Sequence, residues 1–167
     1  YAVVVMIAGY GLLAFRDPFG IRPACYGISE TDNGTEYLVA SESVALEGLG
    51  CRFVRDIAPG KAIFIDLDGN FYSQLCADNA SLNPCIFEYV YFSRPDSVLD
   101  GTSVYDARLK LGEYLAEDVR QAWPLGDIDV VMPIPDTSRP SAMQLANRLG
   151  LDYREGFIKN RYVGRTF

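Results

Sequence analysis

The sequence predicts an α/β protein that is mainly β in its first half and alternates strands with helices in its second half. Short apolar runs separated by glycine-containing turns fill residues 1–75, which is typical of β-hairpins. From residue 103 onward, apolar residues recur at helical spacing in two segments, with a short apolar run between them. Strands that alternate with helices favour a parallel sheet, and such sheets bind ligands at the carboxyl ends of their strands.

The β-rich half is divided by recognisable turns. Ala8-Gly-Tyr-Gly11 predicts a hairpin between two apolar runs, and Asp32-Asn-Gly34 and Asp68-Gly69 predict further turns. One short helix is predicted over residues 41–49, with Ser41 as its N-cap. The predicted strands are residues 1–7, 12–15, 24–28, 36–40, 62–66 and 70–73.

The second half follows a polar segment without periodicity, residues 74–84, which we interpret as the connection between two domains. Residues 87–92 are predicted to form a strand. Ser103 and Asp106 form the pattern that caps a helix, and Pro124 lies just past the end of that helix. The apolar stripe of the helix consists of Val104, Ala107, Leu111, Tyr114, Leu115 and Val119.

A strand, a polar turn and a helix N-terminus follow. Val130 to Ile134 has the composition of a buried parallel strand, and Asp136-Thr-Ser138 comes directly after Pro135. Pro140 suits the first turn of a helix, because its missing N–H would have no partner there, and Gly150 ends the helix. Free N–H groups and the helix dipole make such a turn an anion site. The alternative is a Ser or Thr that only caps the helix. A further strand is predicted over residues 153–157.

A group of cations lies downstream of this turn. Lys159, Arg161 and Arg165 surround Tyr162 and Gly164. Arginine offers forked hydrogen bonds to phosphate, and lysine offers a point charge. A loop that carries these residues and a glycine is suited to close over phosphate groups. The sequence therefore predicts that this loop and the preceding turn bind one anionic ligand.

Composition excludes several classes of protein. The chain has 167 residues, of which 49% are hydrophobic and 22% charged, as in globular domains. Its net charge of −7 argues against a general nucleic-acid surface, which would be basic. No apolar run approaches the roughly 20 residues of a membrane span, and no secretory signal opens the chain. We therefore expect a cytoplasmic protein.

Cysteine and histidine usage constrains the chemistry further. Cys25, Cys51, Cys76 and Cys85 have no C-x-x-C spacing, so we expect reduced thiols rather than disulfides. Histidine is absent. A Ser-His-Asp or Cys-His catalytic arrangement and a histidine metal site are thereby excluded within these residues.

Five blocks of the sequence carry a family resemblance. They are residues 16–23 (RDPFGIRP), 40–44 (ASESV), 87–97 (FEYVYFSRPDS), 127–138 (DIDVVMPIPDTS) and 159–167 (KNRYVGRTF). Together they resemble the amidophosphoribosyltransferase family over essentially the whole chain. The last block is highly specific, whereas the first is shared with other glutamine amidotransferases. The chain begins at Tyr1 rather than Met and ends in a loop-like segment, so we interpret it as an internal fragment.

The resemblance implies a fold and an activity. Residues 1–75 are similar to the C-terminal part of an N-terminal-nucleophile glutamine amidotransferase domain, and residues 76–167 to the N-terminal part of a type I phosphoribosyltransferase domain. The family transfers glutamine-derived ammonia to phosphoribosyl pyrophosphate and makes 5-phosphoribosylamine, the first step of de novo purine biosynthesis. It also implies Mg²⁺ as cofactor, purine nucleotides as feedback inhibitors, and a homo-oligomer.

Two other functions stay open from the sequence. One is a non-catalytic phosphate-binding or regulatory remnant that lacks both reaction centres. The other is a different phosphoribosyltransferase fused to a β domain. Residues 1–167 alone are expected to lack activity, because the resemblance places the glutaminase nucleophile and the acidic metal motif outside them.

The resemblance also implies site residues. Ser138 matches a position that can lie beside Mg²⁺, and Cys85 lies near the position of an iron–sulfur ligand in some relatives, although we favour a buried thiol there. Arg16, Asp17 and Arg22 are interpreted as structural ion-pairing residues. The residues implied to bind phosphoribosyl pyrophosphate are Asp136, Thr137, Ser138, Lys159, Arg161, Tyr162 and Arg165.

Overall fold

A computed structural model describes residues 1–164, which form two compact units. The first unit comprises residues 1–104 and the second begins at Tyr105. Several small sheets and three α-helices make up the two units, so the α/β fold class predicted from the sequence is confirmed. The boundary between family domains predicted at residues 75 and 76 is a separate question and stays a prediction.

The first unit contains nine strands, one α-helix and one π-helical turn. In chain order they are β1 (Ala2–Ile7), β2 (Gly11–Arg16), β3 (Cys25–Thr31), β4 (Gly34–Ala40), α1 (Ser43–Gly48), β5 (Arg52–Asp56), β6 (Lys61–Asp66), β7 (Phe71–Leu75), the π turn (Glu88–Phe92), β8 (Val98–Leu99) and β9 (Thr102–Ser103).

Antiparallel pairing organises this unit. One sheet has the order β1-β2-β6-β7, a second has the order β4-β3-β5, and β8 pairs with β9. Side chains from both of the larger sheets meet in one apolar core. Its buried members are Ala14, Ala24, Tyr26, Ile57, Ile63 and Ile65.

The second unit has two helices around a short parallel sheet. Its elements are α2 (Val104–Ala122), a 3₁₀ turn (Leu125–Asp127), β10 (Val130–Val131), α3 (Arg139–Leu149) and β11 (Asp152–Tyr153), and α2 starts at the last residue of the first unit. β10 and β11 pair in parallel, with Val130 opposite Asp152, as the alternation of strands and helices predicts. Gly150 ends α3 in the left-handed conformation, as predicted.

The two helices approach each other closely at Gly112. A Cβ atom built on Gly112 would lie 2.3 Å from the carbonyl oxygen of Ser141, so only glycine fits there. The Ser141 hydroxyl donates to the carbonyl oxygen of Arg108 at 2.7 Å, and Gln144 donates to Glu113 at 2.8 Å. These contacts fix α3, and therefore the turn that precedes it, against α2.

Two local predictions in the first unit were wrong. Residues 87–92 form a π turn rather than a strand, because the Ser93 N–H bonds to the carbonyl oxygen of Glu88 at 3.0 Å and the adjacent residues Glu88 and Tyr89 are both buried. α1 begins at Ser43 with Glu42 at its N-cap position, so Ser41 does not cap it. The Glu42 carboxylate instead accepts hydrogen bonds from the Arg94 N–H and the Ser97 hydroxyl.

The strands of the second unit are shorter than predicted. β10 ends at Val131, because Pro133 and Pro135 have no N–H to continue the hydrogen-bonded ladder. Met132 and Ile134, which were predicted to lie in a buried strand, are exposed. β11 likewise ends at Tyr153. Across residues 1–164, no helix combines the length and apolar character that crossing a bilayer requires.

Candidate functional site

The turn between β10 and α3 is the candidate anion site. We call residues 132–138 the anion loop. The N–H groups of Thr137 and Ser138 donate to no acceptor within residues 1–164, and both lie beside the N-terminus of α3. Pro140 adds no donor, while the Ala142 N–H bonds to the Ser138 carbonyl oxygen at 2.8 Å and starts the helix. Unpaired N–H groups at the positive end of a helix dipole favour a bound anion.

The Ser138 hydroxyl does not cap the helix. Ser138 itself has a helical backbone conformation, and its hydroxyl donates to the carbonyl oxygen of Ile134 inside the anion loop. The interpretation that this serine serves only as a helix cap is therefore wrong. The hydroxyl oxygen still has lone pairs, and rotation of the side chain would turn its O–H toward a ligand.

Lys159 lies beside the anion loop. Its ammonium nitrogen is 3.5 Å from Oδ2 of Asp136, and both side chains are somewhat more than two-fifths exposed. Two of the predicted site residues that are distant in sequence are thus brought together. Their exposure leaves the ammonium group able to exchange its protein partner for a ligand.

Within residues 1–164, no hydrogen bond or ion pair joins Arg161 or Tyr162 to the anion loop. Arg161 is exposed, and Tyr162 is fully exposed, with its N–H bonded to Oδ1 of Asn160 at 2.9 Å. Arg165 lies outside the described residues. Their proposed contacts with substrate therefore stay predictions.

An arginine that the sequence did not assign lies at the centre of the site. Arg139 is 3.2 Å from Asp136 through Nη1 and 3.2 Å from Glu155 through Nε. Tyr153 donates its hydroxyl to the same Glu155 carboxylate at 2.7 Å. The only signal in the sequence was the spacing of Asp136 and Arg139, which places opposite charges one helical turn apart.

The described residues do not form a magnesium site by themselves. Both carboxylate oxygens of Asp136 lie within ion-pair distance of a cation. Oδ1 of Asp136 is paired with Arg139, and Oδ2 of Asp136 is paired with Lys159. Within residues 1–164 there is no group of three carboxylates, thiols or imidazoles that could hold a metal ion. Mg²⁺ is usually bound by one or two carboxylates together with substrate phosphates.

The cysteines are free thiols in the part of the chain that is described. Cys85 is half-buried, and no group of three potential ligands in residues 1–164 includes it, so these residues alone do not fit an iron–sulfur cluster. Burial, followed by the charges of Asp56 and Glu42, raises the pKa of the Cys25 thiol to about 12. Only the thiolate is a nucleophile, so Cys25 has no catalytic form near neutral pH.

Arg16 and Arg22 of the first unit pair with acids of the protein itself. Arg16 uses all five of its N–H groups, bonding to three backbone carbonyl oxygens and to both carboxylate oxygens of Asp100. Arg22 pairs with buried Glu88 at 2.9 Å and lies over the ring of Phe92. Arg16 therefore has no N–H group left to bind a substrate, whereas the Arg22 side chain stays 47% exposed.

Comparison with known proteins finds relatives that match the chain along its whole length. It is 58% identical to amidophosphoribosyltransferase of Pseudomonas aeruginosa over 167 residues, which are all of this chain and 33% of that protein. It is 57% identical to the Escherichia coli protein of the same name, again across the whole chain and 33% of the relative. The chain is homologous to amidophosphoribosyltransferases along its whole length.

Solved structures agree with the sequence relatives. The chain matches glutamine phosphoribosylpyrophosphate amidotransferase of B. subtilis, complexed with ADP and GMP, with a TM-score of 0.83 and 38% identity over all of this chain and 34% of that one. No family model matches the chain. The chain spans about a third of the length of the curated amidophosphoribosyltransferases it matches.

Proposed function

We propose that this chain is part of an amidophosphoribosyltransferase that transfers glutamine-derived ammonia to phosphoribosyl pyrophosphate. The observation that carries the proposal is the position of Lys159 beside the anion loop, 3.5 Å from Asp136. The homology of the whole chain favours this function over a phosphate-binding remnant or an unrelated fused phosphoribosyltransferase. The product would be 5-phosphoribosylamine, the first intermediate of de novo purine biosynthesis.

The proposed reaction exchanges one substituent on the ribose. Glutamine is first hydrolysed to glutamate and ammonia. The ammonia nitrogen then forms a bond to ribose C1, the bond from C1 to the pyrophosphate oxygen breaks with its electron pair leaving on pyrophosphate, and the new ammonium group loses a proton. Positive charge develops on C1 while negative charge develops on the leaving group, so groups that stabilise the leaving pyrophosphate lower the barrier.

The residues of this chain would act on the pyrophosphate side. The Thr137 and Ser138 N–H groups donate hydrogen bonds to the pyrophosphate, and the helix dipole of α3 favours its negative charge. The Ser138 hydroxyl turns toward it from Ile134. Lys159 leaves Asp136 for a phosphate oxygen. Arg161, Tyr162 and Arg165 then close over the donor, which excludes the water that would hydrolyse it.

The proposed protein would also bind Mg²⁺ and purine nucleotides and form an oligomer. The donor would enter as its magnesium complex, since polyphosphates supply most of the oxygen ligands that Mg²⁺ requires. Purine nucleotides would act as feedback inhibitors, and the B. subtilis structure is described as a complex with ADP and GMP. We expect the full-length protein to be a cytoplasmic homo-oligomer.

Ammonia-dependent synthesis by the full-length protein tests the transfer site without the glutaminase reaction. Lys159→Leu should lower kcat/KM for phosphoribosyl pyrophosphate by about ten-fold or more, because a charge-assisted hydrogen bond to phosphate is lost. Lys110→Leu, an exposed lysine on α2, serves as the matched control and should behave as the wild type. Pyrophosphate release is the measurement.

Two results would contradict the proposal. The first is a full-length wild-type protein that releases no pyrophosphate from the donor when ammonia and Mg²⁺ are present. The second is a Lys159→Leu protein with the same kinetic constants as Lys110→Leu. Either result would leave the anion loop as a connection between β10 and α3.

A further inference from the structure

Arg139 is the charged residue of the site that the proposed reaction leaves without a role. It is the first residue of α3, and its side chain lies between two acids from different segments. Nη1 is 3.2 Å from Oδ1 of Asp136 in the anion loop. On the other side, Nε is 3.2 Å from Oε1 of Glu155, and Nη2 donates to Oε2 of Glu155 at 3.3 Å.

Glu155 belongs to the segment that leads from β11 to Lys159. Tyr153, the last residue of β11, donates its hydroxyl to Glu155 at 2.7 Å. Partial burial and then this contact with Glu155 raise the pKa of the Tyr153 hydroxyl, so it stays a donor at neutral pH. Glu155 is therefore held from both sides, by Arg139 and by Tyr153.

The segment after β11 also runs close to the anion loop through its backbone. The Arg154 N–H bonds to the carbonyl oxygen of Val131, the last residue of β10, at 3.1 Å. A Cβ atom built on Gly156 would lie 2.3 Å from Sδ of Met132. The two segments therefore lie side by side from the end of the sheet onward.

We propose that Arg139 is a positioning residue for binding of the phosphoribosyl donor. It joins Asp136 to Glu155 and so holds the segment of residues 155–159 beside the anion loop, where Lys159 reaches the pyrophosphate. The inference rests on the proposed function. Arg139 acts through its two acids rather than on the ligand, because the three nitrogens of its guanidinium group already face carboxylate oxygens.

The contacts of Asp136 explain why a second contact must hold residues 155–159 to the anion loop. Asp136 pairs with both Arg139 and Lys159. When Lys159 moves to the donor, its contact with Asp136 no longer holds the segment to the loop. The contact between Arg139 and Glu155 does not involve Lys159, so it keeps the segment in place while the ligand is bound.

The test measures ammonia-dependent synthesis by the full-length protein with phosphoribosyl pyrophosphate as the varied substrate. Arg139→Met keeps an unbranched side chain out to about the position of Nε and removes the charged guanidinium group. We expect KM for the donor to rise about five-fold, a modest change because contacts between half-exposed ions are weak. kcat should stay nearly unchanged, because the lost positioning weakens binding of the ground state and of the transition state equally. Arg139→Lys, which retains a charge for one of the two acids, should recover part of this loss.

Two further variants separate the proposed contact from a general charge effect. Glu155→Gln should raise KM as Arg139→Met does, and the double variant should show less than the sum of the two effects, because both remove the same contact. Arg154→Met is the matched control. Arg154 is a neighbouring exposed arginine whose side chain pairs with Asp152 instead, so KM should stay at the wild-type value.

Hydrogen–deuterium exchange gives a readout that does not depend on activity. Amides of residues 152–159 should exchange faster in Arg139→Met than in the wild type and the Arg154→Met control. An active Arg139→Met protein with the wild-type KM overturns the positioning role and leaves the proposed function standing. If the wild type itself shows no donor-dependent activity, the proposed function fails, and unchanged exchange in Arg139→Met then independently overturns the inference.

Discussion

Two pairs of oppositely charged residues, one in each unit, differ in how many of their hydrogen-bonding groups have a partner in the protein. Arg16 and Asp100 form a forked pair at 2.7 and 3.0 Å, with side chains that are 1% and 9% exposed, and Arg16 has no N–H left over. Asp136 and Arg139 also pair, at 3.2 Å, but their side chains are 42% and 41% exposed. The buried pair stabilises the fold, while the exposed pair stays open to solvent.

The physical reason lies in solvation. A buried charge without a partner is expensive, so the fold retains Arg16 only because five acceptors surround it. An exposed pair is worth little in water, so its partners exchange readily. Charged residues that look alike in the sequence therefore differ in how strongly their contacts stabilise the fold, according to how deeply the pair is buried.

The largest expected effect comes from breaking the buried pair. Arg16→Met should lower the free energy of unfolding by about 3–5 kcal/mol, because it leaves the Asp100 carboxylate buried without its partner. Arg139→Met, the matched change in the exposed pair, should cost less than about 1 kcal/mol. Urea-induced unfolding of the two full-length variants measures the difference, and equal midpoints would contradict the distinction.

Ser138→Ala should separate ligand binding from stability within the anion loop. Loss of a hydrogen bond to a charged phosphate should weaken binding of phosphoribosyl pyrophosphate by about 1–3 kcal/mol. The bond to Ile134 is exposed, so the unfolding midpoint should change little. Titration calorimetry with the donor and Mg²⁺ measures the affinity, with Ser73→Ala in β7 as an exposed serine control. Unchanged affinity would assign Ser138 a purely structural role.

Cys25 probes the electrostatics around the buried pair. Its thiol pKa is raised from 9.0 to about 12, first by burial and then by Asp56, so the folded state favours the neutral thiol. This contribution to stability is fully present below pH 9 and is lost as the pH rises toward 12. The unfolding free energy should therefore fall between these values with a slope of up to about 1.4 kcal/mol per pH unit from this group.

Cys25→Ala isolates that contribution from the tyrosines and lysines that also titrate at high pH. Its unfolding free energy should fall less steeply than that of the wild type between pH 9 and 12, in urea titrations at several pH values. Parallel curves for the two proteins would show that the Cys25 thiol ionises as readily in the folded chain as in the unfolded one.

The sequence by itself determined the features that depend on neighbouring residues. The Asp68-Gly69 turn between β6 and β7, the start of α3 around Pro140 and its end at Gly150 are local, because backbone conformation there follows from the residue itself. The anion loop was predicted for the same reason, since a strand, a polar turn and a proline-started helix are consecutive in the chain. The family resemblance was also predicted from the sequence alone, because it rests on short blocks of consecutive residues.

Only the tertiary structure decided which charges meet. Ser41 was predicted to cap the helix over residues 41–49, but Glu42 is at the N-cap position and its carboxylate binds a loop that begins at Arg94. Lys159 was assigned to a closing loop, and its contact with Asp136 had no local signal. The pairing of Arg139 with Glu155 likewise depends on the parallel alignment of β10 and β11, which brings distant segments side by side. Coulomb attraction acts through space, so the sequence supplies the charges and the fold chooses their partners.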